Sequence, residues 1–261
     1  MKALFGFLGL VLTAALSRSD QAADLPSDCS KLRPPSLRPS IYLIQPTGSQ
    51  TRFEVFCHNR RGVGWLVIQR RTGAATYFGR TWEEYKNGFG YMTYDHWLGL
   101  EKVHILTNDT SKVWTLRVDL WDHNRKTAYA EYRDFRIGDE GTAYRLHVGA
   151  YNGTAGDAIR FSKPGGDQNG AKFSTLDRPN DKCSTPCYHE GRIVRFCIST
   201  CCTNIGGWWH NRVCCDCLTT NLNGFWHREE DAKVSITGLH WLTWRPMPYS
   251  ARYSMMSIRA D

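Results

Sequence analysis

Sulfur is the most concentrated reactive chemistry in this sequence. Of ten cysteines, eight (Cys183, Cys187, Cys197, Cys201, Cys202, Cys214, Cys215 and Cys217) fall between positions 183 and 217. Thiolates spaced as Cys-x3-Cys, or adjacent as in Cys201-Cys202, have two fates: they ligate zinc or they oxidise to disulfides. His210, His227 and His240 lie in the same aromatic-rich stretch, where acid–base catalysis would be the chemistry to look for. Yet the sequence holds no Gly-x-Ser-x-Gly elbow, no His-Glu-x-x-His helix and no phosphate-cradling glycine loop. The histidines are therefore expected as structural or surface groups, and the protein is expected not to be an enzyme. A thiol- or metal-dependent activity of the cysteine cluster is the weakest alternative.

The compartment decides between the two fates of the thiols. Lys2 is followed by an apolar run from Ala3 to Leu16 and then by small and polar residues up to Ala23. This layout reads as a signal peptide over residues 1–23, cut between 17 and 23; a buried N-terminal helix is the alternative. The protein is then secreted to the extracellular space, where disulfides form and persist. In that setting Asn108-Asp109-Thr110 and Asn152-Gly153-Thr154 mark Asn108 and Asn152 as glycosylation acceptors. The formal charge of +8 draws the protein toward anionic matrix or glycan surfaces, and the compartment argues against nucleic acid. No apolar stretch of about 18 residues follows the leader, so no membrane span is expected.

The elements that must hold these groups follow from hydrophobic period. Cys29 and Cys57 bracket a short unit with strands at 42–44 and 53–56 around a Pro-Thr-Gly-Ser turn, and a bridge between them would close it. Trp65-Leu66-Val67-Ile68 is a continuous apolar run, a buried strand. Thr81-Trp82-Glu83-Glu84 opens a helix with a capping box, and Gly88 offers its stop. Leu100, Val103 and Leu106 share the face of a second helix near 99–106. In Trp114–Leu120 apolar residues alternate with Thr115, Arg117 and Asp119, which predicts one face in the core and one toward water. Tyr144, Leu146, Val148 and Ala150 repeat that alternation, as does 128–135 less cleanly. Beyond Gly165 the period fades, and so long an irregular stretch needs crosslinks or a metal to stay ordered. No heptad segment supplies an oligomerising stalk, and homo-oligomerisation stays open.

Several segments then resemble, in order, the fibrinogen-related domain family. They include Gly64–Arg71, Trp82–Gly90, His96–Glu101, Thr154–Ala158, Lys172–Thr175, Gly207-Trp208-Trp209, Leu222-Asn223-Gly224 and Trp241–Trp244. The resemblance runs over residues 24–261 as one domain. It implies an α+β fold, the fibrinogen C-terminal-like globular domain, in three regions. These are a small disulfide-linked N-terminal unit, a central twisted antiparallel sheet with flanking helices, and a loop-rich, disulfide-stabilised C-terminal lobe. It also implies the pairs Cys29–Cys57 and Cys187–Cys217, and makes 191–205 and 213–216 insertions relative to most relatives.

The resemblance places a calcium loop at 177–185, with carboxylates at the positions of Pro179 and Asp181 and carbonyls at Cys183 and Thr185. Pro179 carries no carboxylate, so calcium is expected to bind weakly; Asp177 or Asn180 could substitute if the loop shifts. An Asp/Asn-rich turn without an ion is the alternative. The ligand pocket of lectin-like relatives falls at Asp216, Cys217 and Leu218, beside the tryptophan pair. Leu218 stands where such relatives have a histidine, and Trp208 and Trp209 are read as packing residues before ligand walls. The expected function is a secreted, non-enzymatic recognition protein, lectin-like or matrix-associated, engaging extracellular glycans, glycoproteins or matrix proteins through the C-terminal lobe. The alternative is a signalling ligand, like angiopoietin-type relatives, that docks a cell-surface receptor.

Overall fold

A computed structural model of the protein describes residues 25–32, 38–73, 76–161, 166–180, 187–189, 192–194, 206–210, 219–233 and 237–261. The expected signal peptide lies outside them. The N-terminal unit forms as expected: β1 (Ser40–Ile44) pairs antiparallel with β2 (Phe53–Arg60), and β2 with β3 (Val63–Arg71). A disulfide joins Cys29 to Cys57 of β2, with Cα atoms 5.7 Å apart. Gly64 makes this packing possible, because a Cβ there would come within 1.9 Å of the Cys29 carbonyl oxygen.

The helices start and stop where local chemistry says they should. In α1 (Trp82–Asn87) the Thr81 side chain accepts from the Glu84 amide while the Glu84 carboxylate accepts from the Thr81 amide, and the helix ends at Gly88. After it come a small hairpin, β4 (Phe89–Gly90) with β5 (His96–Trp97), and α2 (Leu100–Thr107). Leu100, Val103 and Leu106 are all buried, as their shared face requires.

The remaining strands are β6 (Trp114–Trp121), β7 (Thr127–Tyr132), β8 (Arg136–Ile137), β9 (Leu146–His147), β10 (Tyr151–Gly153), β11 (Cys187–His189), β12 (Arg192–Val194), β13 (Thr220–Asn221), β14 (His240–Trp241) and β15 (Tyr253–Ala260). A short α3 (Glu229–Ala232) precedes β14. The main sheet is nine-stranded, in the order β1-β2-β3-β15-β6-β7-β10, with β4 and β5 joined to it through β3. The last strand, β15, therefore sits at its centre, antiparallel to both β3 and β6. One hydrophobic core serves the described residues. The α+β expectation agrees with this arrangement of extensive sheet and few helices.

Two readings of period are corrected. On β6 the core-facing residues Leu116, Val118 and Leu120 are buried as expected, but so are Thr115, Arg117 and Asp119. Polar side chains from elsewhere in the sheet meet them: Arg60 at the end of β2 reaches Asp119 at 3.4 Å, Glu131 of the adjacent β7 reaches Arg117 at 2.6 Å, and Asp261 accepts from Thr115 at 3.0 Å. Cover of this kind comes from strands distant in sequence, which a single-strand pattern does not encode. The alternation at 144–150 produces only the two-residue strand β9. Ala143 and Tyr144 adopt left-handed backbone, with φ of 55° and 45°, and so interrupt extended structure.

Cys57→Ser removes the N-terminal crosslink. It is expected to lower the unfolding free energy by about 3 kcal/mol, given the loop it closes; urea denaturation with and without reductant checks this.

Candidate functional site

Where β3 ends, its polar residues hold the C-terminal lobe to the sheet. The Gln69 amide nitrogen donates to the Leu222 carbonyl (2.8 Å) and to Asn223 Oδ1 (3.1 Å). Arg71 Nη1 donates to the carbonyls of Gly224 (2.7 Å) and Leu222 (3.3 Å). Asn223 Nδ2 reaches across to the Gly207 carbonyl (2.8 Å), tying the tryptophan segment into the same network. Gly224 has no room for a side chain, since a Cβ would lie 2.1 Å from the Gly238 carbonyl oxygen.

Arg71 is 2% exposed, with its guanidinium 4.0 Å above the Phe78 ring. Its charge is answered by Asp95, fully buried, with Nε 3.9 Å from Oδ2. Thr72 fixes that carboxylate through its amide (2.5 Å) and hydroxyl (2.7 Å). Burial pulls the arginine down to about 10, with Asp95 opposing, so it stays a cation at neutral pH. Residues 71–73 and 76–79, the 91–95 turn and residues 222–226 thus meet around one buried ion pair.

The outside of this corner is aromatic. Tyr77 is 51% exposed, Tyr91 70%, Tyr94 64% and Phe225 38%. Tyr77 and Phe225 face each other with ring centroids 6.2 Å apart. They flank a cleft of about 120 Å³ lined also by Arg71, Thr76, Asn223 and Trp226. Large apolar residues left in water by a rigid scaffold mark an interaction surface. Sequence pattern alone does not single these residues out. The one available signal is Gln69-Arg70-Arg71, three polar residues ending an otherwise apolar buried strand.

The tryptophan pair packs rather than walls a pocket. Trp208 and Trp209 are buried, with their rings 5.6 Å apart and Trp209 edge-on to Phe173 at 5.1 Å. Both indoles are bonded: Trp208 Nε1 donates to Gln168 (3.2 Å) and Trp209 Nε1 to the Tyr144 carbonyl (2.8 Å). His240 is buried too. The Gly238 amide donates to its Nε2 (3.1 Å), which leaves Nδ1 to donate to the Tyr249 carbonyl (3.0 Å). Burial pushes His210 down to about 4, so it is neutral at physiological pH. His227 bonds the Thr237 hydroxyl at 2.8 Å. These are structural histidines, as expected.

Asp177 sits beside the start of α1. Its carboxylate accepts from the Trp82 amide at 2.9 and 3.1 Å, closing the start of α1. Arg178 lies 4.1 Å over the Trp82 ring and bonds Glu140 at 3.0 Å. Glu140 also accepts from Lys86 and Trp82, and these bonds, Lys86 first, hold it down to about 2. Asn180 donates from Nδ2 to the Phe173 carbonyl (2.8 Å). Among the described residues of the loop, 177–180, Asp177 is the one carboxylate; it is exposed and accepts a single backbone amide. Asp181, Cys183, Thr185, Asp216, Cys217 and Leu218 lie outside the described residues, as does the Cys187–Cys217 pairing. For Cys187 the backbone is described, opposite Val194. Among the described residues no group of three His, Cys, Asp or Glu side chains could hold a metal. Asn108, at the end of α2, and Asn152, on β10, are both exposed.

Residues 25–261 match the family described as fibrinogen beta and gamma chains, C-terminal globular domain. Fibrinogen-like protein 1 of Bos taurus is 36% identical over 244 residues, covering 90% of this chain and 72% of the relative. Angiopoietin-related protein 1 of Homo sapiens is 36% identical over 220 residues, 84% of this chain and 40% of its own. The fibrinogen-like globe domain of human ANGPTL6 superposes with a TM-score of 0.73 at 33% identity, covering 90% and 95% of the two chains.

Asn223→Ala would strip partners from the Gly207 carbonyl and the Gln69 amide in a fully buried place. The expected loss is about 3 kcal/mol of unfolding free energy, read by chemical denaturation, with increased proteolysis of the C-terminal lobe.

Proposed function

The protein belongs to the family formed by the C-terminal globular domains of fibrinogen beta and gamma chains, and from that premise we propose that it acts as a signalling ligand whose aromatic corner docks a cell-surface receptor protein. Its relatives, fibrinogen-like and angiopoietin-related proteins, form an extracellular family. No helix among the described residues is long and apolar enough to cross a membrane. The observation that carries the reading is the set of exposed aromatics on a corner held by the buried Arg71–Asp95 pair. Aromatic side chains on a preorganised scaffold lose little freedom on binding and dominate protein interfaces. The cleft between Tyr77 and Phe225, at about 120 Å³, is well below the ~300 Å³ at which small-molecule sites begin. It suits one side chain of a partner.

The lectin-like reading, with acetylated glycans held at Asp216, Cys217 and Leu218, has less support. Leu218 brings no hydrogen-bonding side chain, and the tryptophans that would wall the pocket are packed inside. A calcium site is retained as a weak one, built on Asp181 with carbonyls of Cys183 and Thr185. One carboxylate gives a hard cation little charge to bind.

In the Tyr77→Ala/Phe225→Ala double variant, saturable binding to receptor-bearing cells is expected to weaken at least tenfold with the melting temperature unchanged. Undiminished binding would remove the aromatic corner from the interface. Chelator-sensitive binding to N-acetyl sugars on a glycan array would favour the lectin instead. For calcium, the melting temperature should rise only near millimolar ion, and Asp181→Ala should abolish the rise; a flat wild-type response means no site.

A further inference from the structure

The face of the sheet turned away from the core carries a groove that the corner at the other end of β3 does not share. It is lined by Arg60, Arg61, Trp65, Arg117, Tyr129 and Arg259, among others, and encloses about 310 Å³. The register explains how these meet. Trp65 of β3, Arg259 of β15, Arg117 of β6 and Tyr129 of β7 all alternate with core-facing neighbours and so project to the same side. Arg60 arrives from the end of β2, and Arg61 from the tight turn that follows it.

Four guanidinium groups face the carboxylates of Glu131 and Asp119. Arg117 absorbs most of that negative charge, at 2.6 Å from Glu131 and 2.8 Å from Asp119. Arg60 reaches Asp119 only at 3.4 Å and is 36% exposed. Arg259 is held at the rim by Asp261, whose carboxylate Arg133 also approaches at 3.8 Å. Among the described residues Arg61 pairs with no carboxylate. His58, on the same face, is driven down to about 4 chiefly by burial; Asp119 opposes the shift, and Arg60, Arg70 and Arg117 add to it.

The guanidiniums are also held still. Arg117 lies 4.0 Å over the Tyr129 ring, and Arg259 lies 4.9 Å over Trp65. Rings that fix planar donor forks reduce the ordering needed when an oxyanion arrives. A tetrahedral oxyanion on a sugar matches such a set, because guanidinium binds it through paired N–H donors. The volume stands at the small end of ligand sites and accommodates one sulfated sugar unit.

We infer that this arginine groove on the open face of the sheet binds a sulfated glycan. The choice of a sulfated polysaccharide over other oxyanions rests on the extracellular reading above; the groove itself does not use the aromatic corner.

The test measures the affinity of the full-length protein for a heparin-derived hexasaccharide by calorimetry at physiological salt. Arg61 and Arg125 both have left-handed backbone, with φ of 52° and 63°, which asparagine tolerates. Arg61→Asn combined with Arg259→Gln is expected to weaken binding about tenfold, as loss of charge-assisted contacts should. Arg125→Asn is the control, since it lies in the β6–β7 turn at the opposite end of the sheet. It should leave affinity unchanged, as should Tyr77→Ala/Phe225→Ala. Asn152 stands at the groove's rim, so binding is measured before and after removal of N-linked sugars, and saturable binding in either state supports the site. Equal loss in the Arg125 variant, no loss in the double arginine variant, equal affinity for unsulfated hyaluronan, or no binding in either state overturns the inference.

Discussion

A single buried cation sets the arrangement of the C-terminal half. Arg71, at the end of a strand that is apolar from Trp65 to Ile68, is buried, so every partner it needs must come to it. Asp95 supplies the counter-charge, Phe78 a face, and the carbonyls of Leu222 and Gly224 the acceptors. Breaking a buried pair of this kind by removing one member typically costs about 3–5 kcal/mol, because the other charge is left without compensation. Three stretches far apart in sequence are thereby held to one geometry. A lobe whose described strands are only two or three residues long gains from β3 a rigidity it could not build from its own ladders.

The same strand organises the other face. β3 pairs with β15, and β15 with β6, so the closing strand brings the arginines of both termini beside those of the middle. Inward residues of these strands fill the core with helices and aromatic rings. Outward residues form a ladder of alternating charge, Arg60–Asp119–Arg117–Glu131, over Trp65 and Tyr129. The two surfaces are physically distinct. One is apolar and small, suited to a protein's side chain; the other is polar, wider and basic.

Local chemistry was legible in advance, and distant chemistry was not. The capping box at Thr81 and Glu84 and the stop at Gly88 need only neighbours in sequence, and both stand as read. So does the bridge between Cys29 and Cys57. The face of α2 was readable because burial repeats at helical period. By contrast, Arg117 and Asp119 read as solvent-facing, since nothing in their own strand announces the long side chains that cover them. Tyr144 looked like strand because its alternation is apolar, yet a left-handed backbone turns the chain there. That the Asp177 carboxylate accepts from the Trp82 amide, at the start of a helix 95 positions away, is likewise absent from its own segment.

The sequence by itself determined the family, the α+β class, the N-terminal crosslink and the two principal helices, because each depends on short-range pattern or on motifs kept in order. Only the tertiary structure decided which polar residues became buried clamps and which aromatics stayed in water. Gln69 and Arg71 meet Leu222–Gly224 across some 150 positions, and Tyr77 meets Phe225 over a similar span. Such contacts are set by how β15 closes the sheet, and burial is a property of the whole packed molecule, which no local window of residue types contains.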